Sequence, residues 1–212
     1  MQTKQKLIVS VLATVTILII VLVISWHHSI RKPISVGIEQ VLNPGGDFTL
    51  IDDSGHIFHL RDRRGRVVLL FFGYTACPDI CPRTLSKLAK ARALLDAAAS
   101  QKVIIVFVTV DPQRDTPLRL KEYVAYFDIN AVGLTGTKPQ IDKVVSAYNA
   151  FYEKVPAKSA LGYSINHTSI VYLIDKQGKV RHLLHQDDSP ETMARVIDAV
   201  AFSKALDGAI VR

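Results

Sequence analysis

The chain has 212 residues, of which 49% are apolar and 21% charged, so it can form one or two folded domains and is not a disordered or collagen-like polymer. Two cysteines are too few for a small scaffold held together by disulfides. The formal charge of +7 arises largely within residues 1–32, which hold four of the 26 basic residues and no acidic residue. The remainder of the chain has 22 basic and 19 acidic residues. This near balance does not favour a nucleic-acid partner.

An uncharged apolar run covers residues 7–26. As a helix it would be about 30 Å long, the thickness of a bilayer core. The run is longer than the apolar part of a cleavable signal, and it ends in Trp26, an aromatic residue typical of the membrane interface. We therefore expect a transmembrane anchor that is not cleaved, preceded by a short cytoplasmic tail over 1–6 and followed by a tether over 27–46. The placement that fits best is the bacterial inner membrane, with residues 47–212 in the periplasm.

Strand patterns begin directly after the tether. Phe48–Ile51 and Ile57–Leu60 flank a turn-forming Asp-Asp-Ser-Gly sequence and predict a hairpin. Continuous apolar runs of strand length follow, rich in β-branched and aromatic residues, as expected of strands that are covered on both faces. These runs are Val67–Phe72, Val103–Val110 and Ile170–Ile174. A Lys-Gln-Gly turn then leads into a further strand, Val180–His185.

Apolar residues at helical spacing lie between and after these strands. The predicted helices are Thr84–Ala99, a helix around Leu120 to Phe127, another around Ile141 to Tyr148, and a last one around Met193 to Val200 with Ser189 as N-cap. The order of elements gives a parallel βαβ crossover followed by a ββα unit. It predicts one α/β domain with a thioredoxin-like fold and an N-terminal β-hairpin.

Both cysteines lie directly after the first long strand, in the sequence Cys-Pro-Asp-Ile-Cys-Pro. Cys77 and Cys81 are separated by three residues, whereas disulfide oxidoreductases of this fold usually have two between them. Positions i and i+4 share one face of a helical turn, so the two sulfurs can bind one ion. Backbone N–H groups at a helix start favour thiolates, which are better ligands and are also easier to oxidise.

Strand topology indicates a third ligand at the same edge of the sheet. His167 directly precedes the strand Ile170–Ile174, and if that strand runs antiparallel to the first long strand, its start lies beside the first strand's end. Asp111 ends the second long strand, which is parallel to the first, and so reaches this edge too. A structural role for Asp111, capping the Asp-Pro turn that it begins, fits equally well.

The donor set indicates the metal. Two thiolates and one imidazole form a soft set that suits Cu(I), and Cu(II) could be held with an added water or oxygen ligand. Structural zinc sites usually have four protein ligands, and no fourth Cys or His has a suitable position. We therefore predict that Cys77, Cys81 and His167 bind copper, with Asp111 as a hydrogen-bond acceptor next to the site or an occasional ligand.

Taken together, these motifs resemble those of the Sco/SenC family, copper proteins that assist the assembly of cytochrome c oxidase. The resemblance covers nearly all of residues 45–205. It rests on Gly45–Leu50, Phe72–Thr75 leading into Cys77–Pro82, Asp111–Thr116, Gly133–Thr137, and His167–Thr168 before Tyr172–Asp175. It implies that Cys77, Cys81 and His167 are copper ligands. It also implies two partners, an upstream copper donor protein and cytochrome c oxidase subunit II, whose dinuclear copper centre would receive copper or have its thiols reduced.

Two positions depart from the family's pattern. Asn166 stands where members commonly have Asp immediately before the ligand His, so a carboxylate near the metal is missing and the redox preference of the site is open. Asp47 stands where many members have Pro after the paired glycines, and we expect this difference to matter little.

Besides a metallochaperone, which is not an enzyme, the residues leave two other functions open. A thiol-disulfide reductase would use Cys77 and Cys81 to reduce cysteines of a partner. Oxidoreductases with this fold, however, have a cis-proline beside the cysteine pair, where Asn166, His167 and Thr168 stand here. The third possibility is redox signalling through a reversible disulfide between Cys77 and Cys81.

Overall fold

The computed structural model of the chain describes residues 18–22, 44–157 and 162–202. The chain divides into two compact units, Met1–Leu42 and Asn43–Arg212. In the first unit, residues 18–22 are helical. No helix among the described residues is both long and apolar enough to cross a membrane. Most of the expected anchor over 7–26, and most of the tether that follows it, lies outside the described residues.

The described residues of the second unit form nine strands and five α-helices. The strands are β1 (Thr49–Asp52), β2 (Ile57–His59), β3 (Val67–Gly73), β4 (Val103–Thr109), β5 (Ala131–Thr135), β6 (Tyr152–Pro156), β7 (Tyr163–His167), β8 (Val171–Ile174) and β9 (Val180–Leu184). The helices are α1 (Ile80–Ala93), α2 (Ala97–Lys102), α3 (Pro117–Ala125), α4 (Lys138–Ala147) and α5 (Pro190–Phe202). A 3₁₀ turn, Leu60–Arg63, follows β2.

Seven strands form one sheet in the order β2-β1-β5-β4-β3-β8-β9, and β6 and β7 form a separate antiparallel hairpin. The strands β3, β4 and β5 are parallel, whereas β8 runs antiparallel to β3 with Val171 opposite Phe71. Gly73 at the end of β3 aligns with Thr109 at the end of β4. The expected meeting of these two strand ends with the start of β8 at one edge is therefore confirmed.

Both faces of the sheet are covered by helices. Phe72 and the other even-numbered residues of β3 share a hydrophobic cluster with α4, and Phe71 and the odd-numbered residues share one with α1, α3 and α5. All residues of β3 and β4 are buried, which explains why both strands are continuous apolar runs in the sequence. The predicted α/β domain with an N-terminal hairpin is confirmed.

The helix expected over Thr84–Ala99 differs from the structure, which has two helices there. The first begins earlier, at Ile80, and Pro82 is tolerated because a residue in the first turn has no intrahelical partner for its N–H. The second begins after Asp96, whose carboxylate accepts a 2.7 Å hydrogen bond from the Ala99 N–H and caps the new helix.

Two further elements, β5 and the β6–β7 hairpin, were not predicted. Gly133 lies in the middle of β5, which is five residues long. In the hairpin only Ile165 is fully buried, so no apolar run or regular alternation marks it in the sequence. The hairpin bears on the candidate site because its last residue is His167, one of the predicted ligands.

Candidate metal centre

Cys77 and Cys81 lie where β3 leads into α1. Cys77 is in the turn before the helix, and Cys81 is its second residue. The N–H of Cys81 points at the sulfur of Cys77 over 3.5 Å, as expected for an unpaired donor at a helix start. Both are free thiols, and Cys77 is partly exposed whereas Cys81 is fully buried.

Gly73, the last residue of β3, makes room for the buried sulfur. A Cβ atom at this position would lie 2.7 Å from the Sγ of Cys81 and 2.7 Å from a ring carbon of Phe107. Neither neighbour is the free end of a flexible side chain. Glycine is therefore required here for the close approach of the cysteine and the aromatic ring.

His167 brings its imidazole to the two sulfurs. Its Nε2 lies 3.4 Å from the Sγ of Cys81 and 4.0 Å from the Sγ of Cys77. Its Nδ1 lies 3.0 Å from the carbonyl oxygen of Thr168. Because a carbonyl oxygen only accepts, Nδ1 carries the proton and Nε2 keeps its lone pair for the sulfur side. This is the tautomer that a metal ligand requires.

Aromatic side chains hold the imidazole in place. The rings of Phe71 and Tyr74 meet it edge to face, with centroid distances of 6.1 Å and 5.8 Å. The hydroxyl of Tyr74 also accepts a 3.2 Å hydrogen bond from the N–H of Ile165, two residues before His167. The end of β3 thus contacts both the ring and the strand that carries it.

The structure brings together the three residues that the sequence singled out. The donor atoms of Cys77, Cys81 and His167 all lie within 4.8 Å of one another. Within the described part of the chain, this is the one group of three or more Cys, His, Asp or Glu residues arranged to hold a metal ion. Two sulfurs and one nitrogen form a soft donor set, which fits a soft ion such as Cu(I).

The two thiols differ in acidity. A hydrogen bond from the Cys81 thiol lowers the pKa of Cys77 to about 3, although burial opposes this. Burial, together with the neighbouring Cys77, raises the pKa of Cys81 well above its usual range. Of the two sulfurs, Cys77 is therefore the one that loses its proton more readily, and a metal that binds both sulfurs must displace the proton of Cys81.

Asp111 is fully buried but lies outside the group of three. Its carboxylate accepts hydrogen bonds from the guanidinium of Arg114 and, at 2.8 Å, from the hydroxyl of Tyr163. These contacts connect Asp111 to the β6–β7 hairpin. A direct role for its carboxylate at the metal stays a prediction.

Sequence reasoning missed Asp115, which is also fully buried. Its carboxylate accepts hydrogen bonds from the N–H and the hydroxyl of Thr75, at 3.0 Å and 2.6 Å, and from the hydroxyl of Thr109 at 2.6 Å. It therefore holds the turn that leads to Cys77. The one signal in the sequence that could have pointed to Asp115 is its position four residues after Asp111, within the Asp111–Thr116 motif.

The two departures from the expected pattern both lie at accessible positions. Asn166 is exposed and pairs across the hairpin with Glu153. Adjacent residues of a strand point to opposite faces, so its side chain points away from that of His167. Asp47 forms an ion pair with Arg64, with an N–O distance of 2.9 Å.

A family model described as SCO1/SenC matches residues 38–201, which is most of the chain. The chain belongs to the SCO1/SenC family. An SCO2-like protein of Rickettsia conorii is 40% identical to it over 156 residues, or 73% of this chain and 76% of that protein.

Solved structures of the Sco family share the fold. Bradyrhizobium japonicum ScoI with copper bound aligns with a TM-score of 0.66 at 34% identity, covering 74% of this chain and 99% of that one. BsSco aligns with a TM-score of 0.60 at 26% identity, covering 77% and 96% of the two chains. It is described as having a disulfide switch and as a member of the Sco family of cytochrome c oxidase assembly proteins. The predicted thioredoxin-like fold is thereby confirmed.

Proposed function

We propose that this SCO1/SenC protein binds one copper ion through Cys77, Cys81 and His167 and passes it to a partner. The observation that carries the proposal is the convergence of three soft donor atoms within 4.8 Å. The tautomer of His167, with Nε2 free, further supports metal binding. The copper bound to the related ScoI supports the choice of metal.

Copper is then a cargo rather than a resident cofactor. Three ligands hold Cu(I) without filling every coordination position, so a partner can add a ligand of its own before a protein ligand leaves. We further propose that the copper comes from an upstream donor protein and goes to the dinuclear copper centre of cytochrome c oxidase subunit II. The description of BsSco supports this assignment at the level of the family.

The proposed setting is the bacterial inner membrane. The chain would be anchored by a helix over 7–26, with residues 1–6 in the cytoplasm, a tether over 27–46 and the copper domain, 47–212, in the periplasm. The uncharged run supports this placement because its length matches a bilayer core. We expect the protein to stay in the membrane fraction after a high-salt wash and to leave it only with detergent. Release by salt alone would contradict the anchor.

A second candidate function is thiol-disulfide exchange, favoured by the lowered pKa of Cys77. The thiolate of Cys77 would attack a partner disulfide and form a mixed disulfide while one partner thiolate leaves. Cys81 would then lose its proton and attack the Cys77 sulfur. The partner would gain two electrons and leave as a dithiol, and Cys77 and Cys81 would be left oxidised as a disulfide.

Copper titration of the reduced full-length chain in detergent separates the two functions. We expect one equivalent to bind, and His167→Ala to lose at least about tenfold in affinity because a ligand is removed. His56→Ala is the matched control, since His56 lies in the exposed β1–β2 turn. Equal copper affinity in the wild type and His167→Ala, with turnover of a model disulfide by both, would instead identify a reductase.

A further inference from the structure

The two halves of the metal centre lie on different parts of the fold. Cys77 follows β3 in the main sheet, whereas His167 ends a hairpin whose strands belong to a separate sheet. The hydrogen bonds of the main sheet therefore do not by themselves fix the distance from imidazole to sulfur. Residues 111–119, called here the 111–119 segment, run from the end of β4 into the first turn of α3 and contact both halves.

One end of the 111–119 segment holds the histidine half. The carboxylate of Asp111 accepts hydrogen bonds from Arg114 and from the hydroxyl of Tyr163. Arg114 also donates to the carbonyl oxygen of Tyr163 at 3.2 Å, and its guanidinium carbon lies 3.8 Å from the centre of the tyrosine ring. Tyr163 is the first residue of β7 and His167 is the last. The strand β7 is thus fixed at its first residue, and the imidazole is carried by its last residue.

The other end of the segment holds the cysteine half. The carboxylate of Asp115 accepts hydrogen bonds from the N–H and the hydroxyl of Thr75, two residues before Cys77. The same hydroxyl accepts a 2.7 Å hydrogen bond from the Nε of Arg119. The turn that carries Cys77 is therefore fixed through its backbone and through its side chain.

Thr109, the last residue of β4, links the two ends. Its hydroxyl donates to Asp115 at 2.6 Å and accepts from the N–H of Asp111 at 2.9 Å. Both carboxylates are fully buried. Neither can change partners without leaving a buried polar group unpaired, which costs free energy. The network therefore favours this arrangement, and it connects the two halves of the site through buried hydrogen bonds.

We propose that the 111–119 segment sets the distance between the imidazole of His167 and the sulfurs of Cys77 and Cys81. Arg114 is the positioning residue for the histidine half, and Asp115 is the positioning residue for the cysteine half. Neither is proposed to touch the ion. The proposal rests on the proposed function where copper serves as the probe, and one of its two tests needs no metal.

The first test uses copper spectra and affinities of Arg114 variants in the full-length chain. We expect Arg114→Gln to weaken the thiolate-to-Cu(II) absorption bands and to lower Cu(II) affinity by about tenfold, as loss of a residue that orients a ligand does. Cu(I) affinity falls less, because two thiolates still bind it. Arg114→Lys restores only part of the loss, because an ammonium group lacks the planar fork of the guanidinium.

Arg181→Gln is the matched control for this variant. It removes an ion pair with Asp175 whose side chains are 18% and 7% exposed, compared with 17% and 0% for Arg114 and Asp111. Asp175 directly follows β8, at the opposite end of that strand from His167. A merely structural role for Arg114 would make both variants less stable and leave both copper spectra at the wild-type values.

The second test is made on the metal-free protein by NMR. In the wild type we expect a nuclear Overhauser contact between Tyr74 and His167, because their ring centroids are 5.8 Å apart. We expect Arg114→Gln to weaken this contact, because it releases β7 at Tyr163. Asp115→Asn should instead lower the affinity for Cu(I) and Cu(II) alike, since it releases the turn that carries Cys77.

An unchanged ring contact together with an unchanged Cu(II) spectrum in Arg114→Gln would overturn the assignment of Arg114. Unchanged affinity for both ions in Asp115→Asn would overturn that of Asp115. If the wild type itself bound no copper, the proposed function would fail. The ring contact would still decide, without metal, whether Arg114 positions His167.

Discussion

Gly73 shows how strongly the site depends on the smallest residue of β3. Its missing side chain leaves the space in which the Sγ of Cys81 and the ring of Phe107 meet. Gly133 in β5 is a comparable case away from the cysteines, because a Cβ there would lie 2.8 Å from the Cβ of Leu120. Substitutions at the two glycines can therefore be compared, because both crowd the core but only the one at Gly73 crowds a cysteine of the metal centre.

We predict that Gly73→Ala and Gly133→Ala both lower the free energy of unfolding, by about 1–3 kcal/mol each, because both overpack the core. Only Gly73→Ala should also lower copper affinity, because it displaces the sulfur of Cys81. Denaturant unfolding and copper titration of both variants measure the two effects. Wild-type copper affinity in Gly73→Ala would show that the sulfur has room to move.

At this scale the sequence predicts which donor residues come together better than it predicts the residues that hold them in place. Cys77, Cys81 and His167 could be found because the ends of neighbouring strands meet at one edge of a sheet. Asp115 could not be assigned a role, since its hydrogen-bond partners come from two other segments that meet it only in the fold. A buried carboxylate is indistinguishable in sequence from an exposed one.

Among the elements, the β6–β7 hairpin is the one whose attachment decides the position of His167. One contact that attaches the hairpin to the rest of the domain is the 3.2 Å hydrogen bond from the N–H of Ile165 to the hydroxyl of Tyr74. The hydroxyl of Tyr123 offers a contrast: it is buried but has no hydrogen-bond partner in the part of the chain that the structure describes. Removing these two hydroxyls should therefore have different consequences.

We expect Tyr74→Phe to lower the free energy of unfolding by about 1–3 kcal/mol, because it leaves the buried N–H of Ile165 unpaired. Tyr123→Phe should leave the stability unchanged or raise it, because a buried hydroxyl without a partner costs free energy. Denaturant unfolding of the two variants at neutral pH makes the comparison. Equal destabilisation by both would mean that the hairpin does not depend on the Tyr74 hydroxyl.

The strands and helices that were predicted correctly are those whose own residues show an apolar pattern or a capping residue. The buried strands β3 and β4 are continuous apolar runs, and the expected cap of α5 is present, since the N–H of Thr192 donates to the hydroxyl of Ser189 at 3.2 Å. The elements that were missed depend on partners instead. The strand β5 is stabilised by pairing with β4 and β1, and the hairpin by side chains from elsewhere in the domain.

For the domain as a whole, the sequence predicts the parallel pair of β3 and β4 and the antiparallel pair of β8 and β9. It does not predict the complete strand order, because β1 reaches the sheet through β5, which had not been recognised. The three-layer packing follows from the buried strands alone, since a strand that is apolar on both faces requires cover on both sides.

Stability of the whole domain should depend on high pH through tyrosines in the core. Burial raises the pKa of Tyr172 to about 12 and raises that of Tyr148 above its usual range. In the unfolded chain these phenols lose their protons near pH 10, so the folded state binds more protons above that pH. Their contribution is complete below about pH 10 and is lost as the pH rises towards about 12.

We therefore predict that the free energy of unfolding falls between about pH 10 and pH 11.5, and falls less in Tyr172→Phe. Denaturant titrations at a series of pH values, followed by circular dichroism, measure this slope. A flat profile over the interval would contradict the assignment. The same experiment on Tyr126→Phe is the control, because Tyr126 is 84% exposed.

The unequal depth of the two sulfurs has a consequence for the order of events during transfer. Cys81 is fully buried, whereas Cys77 and His167 are partly exposed. In the proposed transfer, a receiving chain would therefore reach a bound ion from the side of Cys77 and His167, and it would replace one of these two ligands first. The buried sulfur of Cys81 would release the ion last, after the receiver has bound it, and this order would keep copper out of the surrounding water.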